Sequence, residues 1–364
     1  MLVHWRRGAP LAYRQPLAAT RASRFAFLWL SLVFSTGADR VSAQVPTPRF
    51  SDRVTVERVV VDARVLDVGG GAVIGLGRDD FVVKVDGQEV ALESSEWVDE
   101  RGLPDSTVVA AREPAAVPVP ARTGRLVVFY FQNDFYTTRL TGLMRMWPRA
   151  ARLLDQLNPD DRVAVASFDS HLKLHCDFTA DHTAIRSEIL PTTIFREPEP
   201  PSAGPEPSIA AHFDTEAARQ AATQEQGLAV LARALTKIPG AKTMVMFGWG
   251  LGHLSWPIVV LPDEYFEAAR LLAQARTTVL ALDITDADYH SLEVGLERVA
   301  ADTGGFYAKT HLFPDSAMAH VVSALAGHYE LVFEKPDLPP GTHRISVELS
   351  SRKATVLARN WYAD

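Results

Sequence analysis

The chain has 364 residues, with 37 Lys+Arg against 44 Asp+Glu and a formal net charge of −7. Its 47% hydrophobic and 22% charged residues exclude a mainly disordered, collagenous or coiled-coil protein, and the length suggests about two domains. The single cysteine excludes an internal disulfide and a multi-cysteine metal site.

Five arginines, Arg6, Arg7, Arg14, Arg21 and Arg24, precede an apolar stretch from Phe25 to Phe34. That stretch is shorter than the ~20 residues a helix needs to cross a bilayer. It ends near Val41-Ser42-Ala43, small residues of the kind a signal peptidase accepts. Residues 1–43 therefore read as a secretory signal peptide, which places the chain as secreted or periplasmic. An uncleaved anchor is the alternative, and only then would the chain sit on a membrane. Residues 1–43 hold six arginines and one acid, Asp39, so the remainder carries 31 basic and 43 acidic residues, a net of −12. Such a surface repels phosphate backbones, so nucleic acid is excluded as a partner.

The next segment, 53–100, reads as β structure. Arg53 to Leu66 is rich in valine, and Phe81 to Val85 is a second apolar run. Asp86-Gly87 between that run and Val90 to Val98 predicts a hairpin, because both turn positions tolerate positive φ. Residues 101–123, with four prolines between Gly102 and Gly124, form a linker.

From 124 to 326 the rhythm changes. Leu126 to Phe131 is unbroken apolar sequence, as in a strand buried on both faces. A helix over Leu140 to Leu157 follows, with Pro148 predicted to kink or restart it. Strands at Val163 to Phe168, Leu172 to Phe178, Thr243 to Phe247, Thr278 to Leu282 and Gly305 to Lys309 interleave with helices. Those helices fall at Thr215 to Ile238, Asp263 to Arg276, Leu292 to Thr303 and Pro314 to Ala326. This alternation predicts a Rossmann-type α/β domain with a mostly parallel sheet. Strands without helices return at Tyr329 to Phe333, His343 to Leu349 and Ala354 to Trp361. Two placements bury them. Either residues 327–362 join the N-terminal strands in a smaller β-sandwich-like domain with the α/β domain inserted in it, or they extend the edge of the α/β sheet.

Several segments, in order, resemble the VWFA-related domain proteins of Acidobacteria. They are Gly75-Leu76 with Asp80 to Gly87, Arg125 to Phe129, Pro159 to Val165, Asp177 to Asp181, Ala300 to Gly305, Tyr329 to Phe333, and Ala358 to Tyr362. The likeness spans roughly 53–362 and implies a von Willebrand factor type A (vWA) domain, a fold that usually binds proteins, often through Mg²⁺. Its metal motif is Asp-x-Ser-x-Ser after the first strand, with a Thr and an Asp in later loops. Here the position expected for Asp is Gln132, and a shift of two residues makes it Asp134, with Tyr136 and Thr138 where serines belong. The later turn, Gly248-Trp249-Gly250, carries no carboxylate. The resemblance thus implies a degenerate metal-ion-dependent adhesion site, with Mg²⁺ resting on Asp134 and Thr138 if it binds. A second acidic group, Asp283, Asp286 and Asp288, follows a predicted strand, where α/β sheets bind ligands. A helix N-cap with a solvated turn is the plainer reading of that group.

Catalytic motifs are sparse. Gly-x-Ser-x-Gly, His-Glu-x-x-His and a P-loop are missing from the sequence. Alternation places Leu172, Leu174 and Cys176 on a buried face, with His171, Lys173 and His175 on the other, so Cys176 reads as a small core residue. Trp249 and Trp256 read equally as exposed interface anchors or as packing residues. The expectation is a non-enzymatic protein-binding module whose rim carries Gln132, Asn133, Asp134, Thr137, Gly248, Trp249 and Gly250. The alternative is a metal-assisted hydrolase using Asp134 and Asp283.

Overall fold

A computed structural model describes residues 57–99, 124–190, 195–199, 201–350 and 353–363. The signal peptide expected at 1–43 and the linker expected at 101–123 lie outside the described residues. The described residues begin with strand β1 (Arg58–Leu66), β2 (Phe81–Val85), β3 (Gln88–Val90) and β4 (Leu92–Asp99). Then come β5 (Leu126–Gln132), helix α1 (Thr137–Leu154), β6 (Arg162–Phe168), β7 (Leu172–Thr179) and α2 (His182–Glu188). Next are α3 (Thr215–Gln220), α4 (Gln224–Leu235), β8 (Lys242–Gly248), β9 (His253–Ser255) and β10 (Ile258–Val260). They are followed by α5 (Asp263–Gln274), β11 (Thr277–Asp283), α6 (Glu293–Thr303), β12 (Tyr307–Lys309) and α7 (Pro314–Ala324). The chain closes with β13 (Gly327–Glu334), β14 (Thr342–Leu349), β15 (Thr355–Ala358) and β16 (Trp361–Ala363).

The central sheet has the order β12-β11-β8-β5-β6-β7, with β7 alone antiparallel. Numbered along the chain this is 6-5-4-1-2-3, a doubly wound order whose direction reverses between β5 and β8. The inner strands are apolar on both faces because helices cover both. Val128, Tyr130, Met244 and Met246 pack under α4, α5 and α6. Val127, Phe129, Phe131, Val245 and Phe247 pack under α1, α2 and α7.

The terminal strands form two further four-stranded sheets, β15-β1-β13-β4 and β16-β14-β2-β3. Val61, Val65, Val83, Tyr329, Leu331 and Ile345 fill the core between them. Of the two placements open at the sequence level, the sandwich-like one is therefore found. The Asp86-Gly87 turn has φ of 49° and 85°, the left-handed pair a two-residue hairpin needs.

Four local expectations need correction. The strand expected after that turn is two, because the chain breaks at Ala91: β3 pairs with β2, whereas β4 crosses to pair with β13. The last strand is likewise split between the sheets, as β15 and β16. Pro148 does not start a second helical piece, since α1 runs through it unbroken. The carbonyl it deprives of a donor belongs to Met144, whose side chain is exposed, so water can serve there. The single helix expected over Thr215 to Ile238 is two, because Thr223 turns extended and its side chain caps α4 through the Gln226 N–H.

The sandwich seals the amino edge of the central sheet. Arg64 on β1 is 1% exposed. It donates to Ala324 O (2.9 Å), Thr278 Oγ1 (2.8 Å) and Thr243 Oγ1 (3.1 Å), the last two near the starts of β11 and β8. Arg276, just ahead of β11, pairs with Asp62 and Glu330, which face each other across β1 and β13. Among the described residues, the sandwich makes no such arginine bridge to the carboxyl edge.

Candidate functional site

The reversal between β5 and β8 puts the loops after those strands on either side of a crevice, where open α/β sheets hold ligands. Here the crevice is filled by Gln132, which is fully buried. Its Oε1 accepts from the N–H groups of Trp249 (2.7 Å) and Gly250 (3.1 Å), and its Nε2 donates to Gly250 O (3.0 Å). Gly248 permits this, since a Cβ there would lie 2.9 Å from Gln132 Oε1. Asn133 is buried and its N–H bonds Phe168 O at 2.8 Å, tying the crevice to β6. Ile284 N–H bonds Gly248 O (2.8 Å), and Asp286 N–H bonds Thr138 O (3.1 Å). The loops after β5, β8 and β11 are thus stitched into one rim.

Asp134 lies on this rim but is already engaged. One carboxylate oxygen accepts from Tyr136 N–H at 2.8 Å, and the other is ion-paired with Arg139. The same guanidinium lies 3.6 Å from the centroid of the Trp249 ring. An internal cation therefore stands beside the one carboxylate of the first loop. Thr137 opens α1, and Thr137 and Thr138 are both exposed. This donor set does not fit Mg²⁺, which needs oxygen ligands in near-octahedral order. The lone carboxylate is neutralised, and the Gln132 amide is spent on its neighbours.

Asp283, Asp286 and Asp288 do not cap the helix that follows them. Asp283, at the end of β11, is 1% exposed. It accepts from His290 Nε2 (2.9 Å), Tyr307 Oη (2.8 Å) and Thr285 N–H (2.9 Å). Burial works against its charge, but these donors outweigh it and hold the carboxyl below its usual range. Glu293 sits beside it, 2.9 Å from Lys309 Nζ. Asp286 pairs with Arg145 and His311, Arg145 having the larger effect, and is held low by both. The helix after this loop has Leu292 at its N-cap position, with no side-chain cap, which overturns the capping reading. His290 and Glu293 escaped the sequence reading because seven and ten residues of irregular loop and helix start separate them from Asp283, so no periodicity links them.

Among the described residues, two groups bring three potential ligand atoms within 4.8 Å of one another: Asp283, His290 and Glu293, and, at the sandwich junction, Asp62, His328 and Glu330. Both can offer oxygen and nitrogen to a divalent ion. Each also contains a cation of the chain, Lys309 in the first and Arg276 in the second. Asp134 and Thr138 belong to neither.

The expected facing of β7 is also corrected. Irregularities in its pairing with β6 fall between Val163 and Ala166, opposite Cys176. This bulge turns Cys176 onto the α1 side while Leu172 and Leu174 stay on the α4 side. His175 is buried, with Nε2 2.7 Å from Ser167 Oγ. Burial lowers its pKa to about 4. Burial also raises the Cys176 thiol to about 11, so it stays protonated at neutral pH. Trp256 is 86% exposed at the tip of the β9–β10 hairpin, whereas Trp249 packs partly on the α1-side core.

No protein-family model matches the chain, and no curated protein matches it. Among solved structures it is similar to a von Willebrand factor type A protein from Catenulispora acidiphila, with TM-score 0.40, 9% identity, and 85% of this chain and 74% of that one covered. It is also similar to the vWF domain of the type V pili tip protein Mfa5 from Porphyromonas gingivalis, with TM-score 0.39, 11% identity, and coverage of 56% and 96%. A third is the conserved hypothetical protein BatB from Bacteroides thetaiotaomicron, with TM-score 0.37, 14% identity, and coverage of 56% and 97%.

Proposed function

We propose that the chain is a vWA-type protein-binding module that docks through the carboxyl-edge loops of its central sheet, without a bound metal, and works outside the cytoplasm. One observation carries the docking face. Of the fourteen exposed large hydrophobic side chains among the described residues, eight follow the carboxyl ends of parallel strands. They are Phe135 and Tyr136 after β5, Leu254, Trp256 and Ile258 after β8, Tyr289 after β11, and Leu312 and Phe313 after β12. Aromatic side chains concentrated on one face are the usual anchors of protein interfaces. The vWA reading is supported by the sequence resemblance together with the strand order. The Arg139–Asp134 pair supports the metal-free reading. Work outside the cytoplasm is supported by the basic and then apolar start of the sequence. The hydrolase alternative loses support because Asp134 and Asp283 are bonded to separate partners, Arg139 for one and His290 with Tyr307 for the other.

The test is capture of envelope proteins on the immobilised chain with and without EDTA. The reading expects a protein retained by wild type and by Val68→Ser, which alters an exposed residue of the sandwich, and released by Phe135→Ser with Trp256→Ser. EDTA should make no difference. Retention equal in the rim variant, or abolished by EDTA, overturns it.

A further inference from the structure

A cavity of about 360 Å³ opens on another part of the molecule, where the start of β1, the second half of α5 and the last two strands meet. Its charged lining runs against the acidic character of the chain: Arg58, Arg270, Lys335 and Arg359 face it, with Glu57 the one acid. Two of the cations are already spent, Arg58 on Glu93 and Lys335 on Glu57. The other two are not. Arg270 is exposed and makes no hydrogen bond or ion pair with the described residues. Arg359 reaches only backbone carbonyls, Val60 O at 2.7 Å and Ala273 O at 3.5 Å, and its buried Nε has no acceptor. Burial lowers its pKa, which Asp62 opposes and Arg276 reinforces, so its charge is under-compensated where it lies. Trp361, half-buried, adds a flat apolar wall.

We propose that this cleft binds a small organic oxyanion, a carboxylate or phosphate ester on a flat apolar body, with the oxyanion held by Arg270 and Arg359 and the body laid against Trp361. A guanidinium presents parallel N–H donors that match either oxyanion. The volume suits an aromatic ring with its charged group, near the lower end of ligand pockets. The site is independent of the rim reading, since no rim residue lines it.

Isothermal titration of the chain at low ionic strength with phenyl phosphate, benzoate, inorganic phosphate and neutral benzamide tests this. The expected result is saturable binding of at least one aryl anion, with benzamide silent. Phenyl phosphate binding well ahead of benzoate identifies a phosphate ester as the ligand class, and the reverse order a carboxylate. Arg270→Ala should weaken binding about tenfold or more, the worth of a charge-assisted hydrogen bond. Its melting temperature should stay that of wild type, because Arg270 holds nothing else in place. Silence of both aryl anions up to about 10 mM, the weak limit of specific binding, overturns the proposal. Equal affinity in Arg270→Ala overturns it too, as does binding of inorganic phosphate alone.

Discussion

Gln132 shows how one side chain can substitute for a ligand. Its amide supplies an acceptor and a donor to the loop after β8, where the resemblance places a carboxylate for a metal. Gln132→Ala would leave the buried Gly250 N–H, the part-buried Trp249 N–H and the Gly250 carbonyl without this partner. A loss of about 2–4 kcal/mol is expected, read by urea denaturation, with a change in tryptophan emission as the Trp249 loop loosens. Unchanged stability would mean the loop is held by other contacts. The sequence marked this position as special, since Gln132 ends an apolar strand at the sheet's carboxyl edge. It did not show what the amide bonds, because Trp249 and Gly250 lie more than a hundred residues away and only the fold brings them near. Arg139 was hidden for a similar reason: it looks like an ordinary helix residue until its guanidinium is seen between Asp134 and Trp249.

At the scale of elements, the strands of the central sheet were legible because burial on both faces leaves them wholly apolar. Splits and bulges were less legible. The break between α3 and α4 falls among alanines with high helix propensity, and it is decided by the Thr223 cap rather than by periodicity. The two register shifts beside Cys176 leave no composition signal, yet they turn Cys176 to the α1 side while Leu174 and Phe178 stay on the α4 side. Close approach of elements is equally silent. Gly142 lies where α1 touches the loop after β11, and a Cβ there would come 1.4 Å from Ile284 O. Gly142→Ala must therefore push the helix off that loop. The expected cost is about 1–3 kcal/mol, the range for overpacking, measured as a lowered unfolding midpoint. A variant as stable as wild type would show that the helix shifts freely.

At the scale of the molecule, the sandwich and the α/β layer meet through charge at β1 and β13 as well as through apolar packing of Trp361. Glu330, on β13, lies beside His328 and Arg276, which hold its pKa down to about 2 from 4.5 against the effect of burial. A carboxyl depressed in the fold stabilises it fully above about pH 4.5 and gives that up as pH falls toward 2. Stability should therefore decline across that window, and Glu330→Gln should show a shallower decline. Urea midpoints at several pH values measure it, and identical slopes in the two proteins would exclude Glu330 as the source. This junction could not be read from sequence, because Asp62, Arg276 and Glu330 sit in three separate segments with no shared spacing.

The interleaving of the two ends of the chain has a consequence for how the molecule is made. Lys84 on β2 meets Glu348 on β14, a neighbour 264 residues later in synthesis. The first hairpin thus leaves the ribosome long before the strand that completes its sheet exists, and must wait as an unfinished edge. Closing so long a loop is slow, and an unpaired edge invites aggregation. Biogenesis of this chain therefore calls for β2 and β3 to be kept from pairing with other chains until β14 has been made.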